Sequence, residues 1–401
     1  MKKEAKPNWF EVDTKYVGAL DGVRAIAILI VLWFHFWQQS WLMPTYPTPF
    51  LEWLGIQSIN FNIFRRCGYI MVDLMILLSG FVLYLPYARN QFEKTPILRI
   101  SEFYLRRAVR IVPSYVIAVL VMFFVALFGG LYANRTGFLW KDLITHLTFT
   151  HIFFPDTYQF SLINGVFWTA AIEVWFYLIF PFLAKGFRKN PSLTYIGMVA
   201  VGLLFTFTVA TKAENTSFMT NQFLTFLPVF ANGMLLAHLY VWYAKKVKNK
   251  MVPSIVATVV WVAAVIWVIY MFKGCANAAL DPNLNAQMWQ IINRYPLSFA
   301  YFTMIGSLII SIKPLRSIFQ TNVLRFLSSI SFNLYLWHQW IMVELRKAFG
   351  ASSGADIAAM GQNMQWILTV EGLLLSILVA TFMTYVVERP LSKLLLKKPN
   401  K

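Results

Sequence analysis

Arg24 and His35 lie eleven residues apart in a stretch that is otherwise apolar, residues 19–35. At about 100° per residue, eleven helical steps return to within roughly 20° of the start, so one helix face displays both side chains about 16 Å apart along the axis. Polar groups of this kind are costly in lipid unless they face protein or water, and their presence calls for a use. A neutral imidazole has a pKa suited to proton transfer, and a guanidinium carries a fixed positive charge. Asp21, three residues before Arg24, is expected to pair with or orient the guanidinium.

Further groups join this pair. Asp73 enters an apolar run ahead of Ser79-Gly80, where an acid needs an arginine or histidine and the small residues allow close helix approach. Glu173 sits in mid-run with Tyr177 four residues later on the same face, so it needs a partner, a cavity or a proton. Arg106, Arg107 and Arg110 fall within five residues and offer several planar forks to phosphate. His338 lies in the ninth run and Glu388-Arg389-Pro390 closes the tenth. His146 and His151 belong to an amphipathic segment between runs. No spacing of His, Cys and carboxylates predicts a metal site, and neither a nucleotide-cradling glycine loop nor a nucleophile elbow is found.

The elements that must position these groups are helices in a membrane. Of the 401 residues 58% are hydrophobic and 13% charged, far more apolar mass than a soluble core needs. Ten runs of about 20 residues, each long enough to cross roughly 30 Å of hydrocarbon, are predicted at 18–37, 69–88, 111–131, 161–183, 193–211, 223–243, 252–272, 291–311, 326–343 and 366–386. With the N-terminus inside, 25 of the 35 Lys and Arg residues fall in inner segments and 9 in outer ones. This sidedness predicts an all-α polytopic transmembrane bundle of about ten spans with both termini cytoplasmic. The formal charge of +18 follows from it, which excludes a folded basic module for nucleic acid and leaves anionic membrane lipids as the general partner. The first run is read as a retained span, since it lacks a signal-peptide pattern. Cys67 and Cys275 fall at outer loops, where two cysteines make no disulfide framework and a bridge between them is left open.

Taken in order, these residues resemble the acyltransferase 3 family of integral membrane acyltransferases over roughly residues 16–390. The resemblance rests on Arg24 and His35 in the first helix, Leu20-Asp21-Gly22, Val72-Asp73-Leu74, Leu78-Ser79-Gly80-Phe81, Arg106-Arg107, and Arg110-Ile111 with Pro113. Trp168, Glu173, Phe176-Tyr177, Pro181, Leu334-Tyr335-Leu336-Trp337-His338 and Glu388-Arg389-Pro390 complete it. Met75 and Ile76 replace the paired phenylalanines usual there, and Phe332 replaces a common tyrosine, changes that bear on packing or substrate fit. The hydrolase-like domain of some relatives is missing here, so a self-contained transferase is expected.

The resemblance implies transfer of an acyl group, usually acetyl from acetyl-CoA or another acyl-CoA donor, to a hydroxyl of a carbohydrate, glycolipid or lipid-linked glycan of the cell envelope, at a bacterial cytoplasmic membrane. His35 is expected to act as base or transient acyl carrier, and Arg24 to orient the donor or a neighbouring acid. Asp73 and Glu173 would position the reacting groups, while Arg106, Arg107 and Arg110 engage the phosphates of CoA. The two ends of the first helix would then line one wet passage. The corresponding domain plan is a cytoplasmic segment 1–15, a membrane acyltransferase domain 16–390 and a basic tail 391–401. The competing reading is a polytopic transporter with the same four buried groups as an ion or solute relay, although no internal repeat stands out.

Overall fold

The computed structural model describes residues 9–43, 45–60, 62–212, 214, 216–281 and 285–396; the basic ends assigned to 1–8 and 397–401 lie outside them. Ten long helices carry the chain: α1 (Ala19–Ser40), α2 (Met71–Glu93), α3 (Ile100–Phe128), α4 (Trp168–Lys189), α5 (Pro191–Lys212), α6 (Leu227–Lys246), α7 (Met251–Leu280), α8 (Ala286–Ile310), α9 (Asn322–Ala348) and α10 (Gln362–Phe382). Each coincides with one predicted run. Among the described residues, eight of the long helices are apolar enough to cross a membrane, and α8 and α9 are the two that fall short. Their polar residues point into the bundle: Arg294 and Ser298 of α8, and Asn333 and His338 of α9, are all buried.

The ends of the helices sort as the charge pattern requires. At one end Thr14 donates to Glu93 at 2.7 Å, Lys245 lies 3.6 Å from the same carboxylate, Tyr240 donates to the Asp13 carbonyl, and the Lys313 amide donates to the Trp9 carbonyl. The N-terminal segment, the ends of α2 and α6 and the α8–α9 connection therefore share one face, the lysine- and arginine-rich one. At the opposite end Gln365 at the start of α10 donates to the Trp41 carbonyl beyond α1. A β-hairpin of two short strands, Thr45–Pro47 and Ser58–Asn60, decorates that face. Large apolar side chains such as Phe128, Phe182, Leu204 and Val259 are exposed around the waist of the bundle, as a lipid-facing belt requires.

Glycine sets the closest helix contact. A Cβ on Gly233 of α6 would come within 2.0 Å of the Leu77 carbonyl oxygen of α2, and one on Gly80 within 2.4 Å of the Phe230 carbonyl oxygen. The close approach predicted from Ser79-Gly80 is thus made backbone to backbone. Two boundaries differ from prediction. The third helix begins at Ile100, three turns earlier than its apolar run, and the tenth passes through a π-helical stretch, Met383–Glu388, into a further helix, Arg389–Leu395.

Candidate active site

Two cavities lie one above the other inside the bundle. The inner one is lined by Arg24 of α1, Arg107 and Arg110 of α3, and Glu173 and Tyr177 of α4. Met75, Ile76 and Phe332, the positions that depart from the family pattern, also line it. Tyr177 donates a short hydrogen bond to Glu173, as their four-residue spacing predicts. Arg107 lies over the rings of Phe103 and Tyr177 at 5.7 and 5.6 Å. Arg24 feels the charges of Arg110, Glu173 and Asp21, yet among the described residues no carboxylate comes within 4 Å of its guanidinium. Three guanidiniums thus face the cavity against one carboxylate. In a low-dielectric bundle this surplus is costly unless an anion or water offsets it.

The outer cavity is lined by His35 and Gln38 of α1, Asp73 of α2, Asn221, Gln290 of α8 and Trp168. His35 Nδ1 lies 3.0 Å from Gln38 Oε1, which as acceptor fixes the proton on Nδ1 and leaves Nε2 with its lone pair. Behind it stands His338 with ring centroids 5.1 Å apart. Its Nδ1 donates to the Tyr335 carbonyl at 2.7 Å, while its buried Nε2 finds no partner among the described residues. Asp73 meets Arg294 across a 3.2 Å gap. Arg294 is held in turn by the Thr220 carbonyl, by Thr225 Oγ1 at 2.7 Å and by the face of Phe226 at 4.0 Å. Arg294 is the partner that sequence reasoning missed: three residues into its run, it is one of the nine charges assigned to outer segments.

The structure separates several residues that the sequence grouped. Val72 and Tyr335 line both cavities, which adjoin at these two side chains, so Arg24 and His35 line different chambers. Tyr335 is pinned there by donating to the Val166 carbonyl at 3.1 Å. Asp21 does not pair with Arg24; it accepts from Tyr16 and from Ser328. Arg106 turns away from the inner cavity and pairs with Glu102 at 2.6 Å on the surface, one turn back along the extended α3. Glu388 does more than its neighbour Arg389 suggested. The π-helical stretch brings it to the Asn333 amide at 2.9 Å and within electrostatic reach of Arg110, and such stretches often mark functional sites. Cys67 and Cys275 are buried and are not joined in a disulfide; the Cys67 thiol donates to the Phe272 carbonyl at 3.3 Å. Among the described residues no group of three or more His, Cys, Asp and Glu side chains is arranged to hold a metal.

Comparison with known proteins agrees with this architecture. The chain is 29% identical to the peptidoglycan O-acetyltransferase OatA of Listeria monocytogenes over 199 residues, 47% of this chain and 28% of that protein. It is 22% identical to a protein named as a candidate O-acetyltransferase in Staphylococcus aureus strain COL, across 81% of this chain and 50% of the other. A protein named as a candidate acetyltransferase in Acidianus two-tailed virus is 22% identical, across 89% of this chain and 92% of its own length. The chain thus spans half or less of the first two relatives. No solved structure matches. A family model described as an acyltransferase domain matches residues 17–386, from the turn before α1 to the π-helical stretch after α10, and the chain belongs to that acyltransferase 3 family.

Proposed function

We propose that this protein is a membrane O-acyltransferase that moves an acetyl group from acetyl-CoA to a hydroxyl of a carbohydrate, glycolipid or cell-envelope polysaccharide, with residues 16–390 as the transferase unit. The observation that carries this reading is the pair of chambers with opposite chemistry on either side of Val72 and Tyr335. The inner chamber, rich in guanidinium, suits the phosphates and thioester carbonyl of an acyl-CoA entering from the lysine- and arginine-rich face. The outer chamber, with an imidazole and several amides, suits an alcohol-rich acceptor.

The chemistry then divides by chamber. His35 Nε2 takes the proton of the acceptor hydroxyl as its oxygen adds to the acyl carbonyl, and the C–S bond then breaks with coenzyme A leaving as the thiol; alternatively His35 itself takes the acyl group as that thiol departs and then passes it to the acceptor. Arg24, with Arg107 and Arg110, holds the donor and offsets negative charge at the thioester. Glu173, fixed by Tyr177, orients those guanidiniums. Asp73, fixed by Arg294, shapes the acceptor side. Tyr335 stands where the chambers adjoin, and the acyl group passes it by displacement of the ring or by relay. The enzyme reading places the protein in the cell membrane of a bacterium, with lipid against its exposed apolar belt.

The test is reconstitution in proteoliposomes with isotopically labelled acetyl-CoA and a panel of glycans, read by mass spectrometry for the acetyl increment. Donor-dependent labelling of a glycan that disappears in His35→Ala is the expected result. Unchanged labelling in that variant would remove His35 from the mechanism, and solute flux without acyl transfer would replace the enzyme by a transporter.

A further inference from the structure

Away from both cavities, the outer connection between α3 and α4 folds into short helices, Thr136–Leu147, His151–Phe153 and Pro155–Gln159, followed by a loop that leads into α4. Within it Asp142 and His146 are four residues apart on one helical face, and the loop brings Ser161 against them. Asp142 and His146 are almost completely buried. His146 Nδ1 lies 2.8 Å from the Asp142 carbonyl and 3.2 Å from its carboxylate Oδ1. The carbonyl acceptor requires the proton on Nδ1, with the carboxylate close by, so Nε2 carries the lone pair. That nitrogen faces Ser161 Oγ at 3.4 Å. The Ile163 amide donates to the same hydroxyl oxygen at 3.1 Å, which leaves the hydroxyl proton free to point at the imidazole. The other carboxylate oxygen of Asp142 accepts from Tyr132 at 2.7 Å and from the Leu162 amide at 3.0 Å. Burial opposes ionisation of Asp142, but His146, Tyr132 and the Leu162 amide together hold its carboxyl below the usual range. His151 stacks on His146 with centroids 4.0 Å apart and planes within 7°, which locks the orientation of the imidazole.

Fastening the loop does not require this much. The Leu162 amide on Asp142 already ties the loop to the helix, and the Ser161 hydroxyl adds an oriented nucleophile and base. Ser161 also opens on a groove that shares no lining residue with either cavity. One side of the groove is apolar, with Met122, Val125 and Leu131, and the other is polar, with Gln339, Glu344 and Lys347.

We propose that Ser161, His146 and Asp142 form a second nucleophilic centre that takes acyl groups from short-chain carboxylic esters of polar alcohols at the outer face. Ser161 Oγ bonds to the ester carbonyl carbon as its proton passes to His146 Nε2. The adduct collapses by breaking the bond to the alcohol oxygen, which departs with that proton. Water or a second hydroxyl, deprotonated by the same nitrogen, then attacks acyl-Ser161 and restores the serine. Asp142 acts through His146 as a positioning residue. A hydrogen bond of 3.4 Å is long and needs to tighten by a few tenths of an ångström once substrate is seated.

The test uses the purified full chain in detergent with p-nitrophenyl acetate and no CoA, so it is independent of transfer at His35. A burst of p-nitrophenol is expected, with acetyl on Ser161 in the quenched digest at least tenfold above acetyl on the exposed Ser329, which serves as internal control. Ser161→Ala should abolish the burst, and His146→Gln should reduce acetylation at position 161 at least tenfold with an unchanged elution profile. Should His146→Gln not fold, the ratio of Ser161 to Ser329 in the wild-type protein decides. Ser161 acetylated no more than Ser329, or equally acetylated in folded His146→Gln, overturns the proposal.

Discussion

The inner and outer chambers adjoin at two side chains, yet they are built by opposite rules. Three guanidiniums and one carboxylate line the inner chamber, and among the described residues Arg24 has no acid within 4 Å, with Asp21 and Glu388 acting only from a distance. At the outer chamber the lining acid Asp73 is matched by Arg294 behind it at 3.2 Å, and the remaining polar groups are an imidazole, amides and hydroxyls. Buried charge left unmatched is expensive and is kept where a ligand of opposite sign completes it. An acid matched by one guanidinium leaves no such surplus. On the proposed function, the contrast divides the work: one chamber takes the anionic donor and the other the hydroxyl.

Four substitutions break or sharpen this contrast, from the largest effect to the smallest. His35→Ala should lower transfer by about 10²- to 10⁴-fold, the range for loss of a general base, while the fold persists; product formation per enzyme measures it. Asp73→Ala should cost about 3–5 kcal/mol of stability by leaving Arg294 buried and unpaired. A companion Arg294→Met on the same background should recover part of that loss, as thermal unfolding in detergent would reveal. Gly233→Ala pushes a methyl group into the Leu77 carbonyl and should cost about 1–3 kcal/mol, seen as reduced thermal stability. Arg106→Ala removes only an exposed pair with Glu102, so stability should change by less than about 1 kcal/mol and donor affinity not at all. A large effect there would return Arg106 to the inner site.

Much of the scaffold was legible because hydrophobic length and Lys/Arg sidedness are written locally in the chain. All ten long helices were visible, including α8 and α9, whose composition alone is too polar for a span. Pairings across helices were harder. Asp73 announced that it needed a cation, but nothing local joins residue 73 to residue 294, and Arg294 looked like an interfacial anchor. Arg106 was grouped with Arg107 and Arg110 because the apolar run begins only at Ile111. The helix in fact starts at Ile100, so Arg106 meets Glu102 on the outer surface while its neighbours turn inward. The junction at Val72 and Tyr335 had no signature in the sequence, since both read as ordinary core residues. Ser161 was also invisible, because its relation to His146 depends on how the loop folds back over fifteen residues.

The division of labour between the chambers is tested most directly by the affinity for acetyl-CoA, measured by calorimetry on purified protein. His35→Ala should bind the donor as the wild-type protein does while transfer falls by about 10²- to 10⁴-fold, and the double variant Arg107→Ala, Arg110→Ala should bind it at least tenfold more weakly. Donor affinity that survives loss of both arginines, or that falls with His35 alone, would contradict the account.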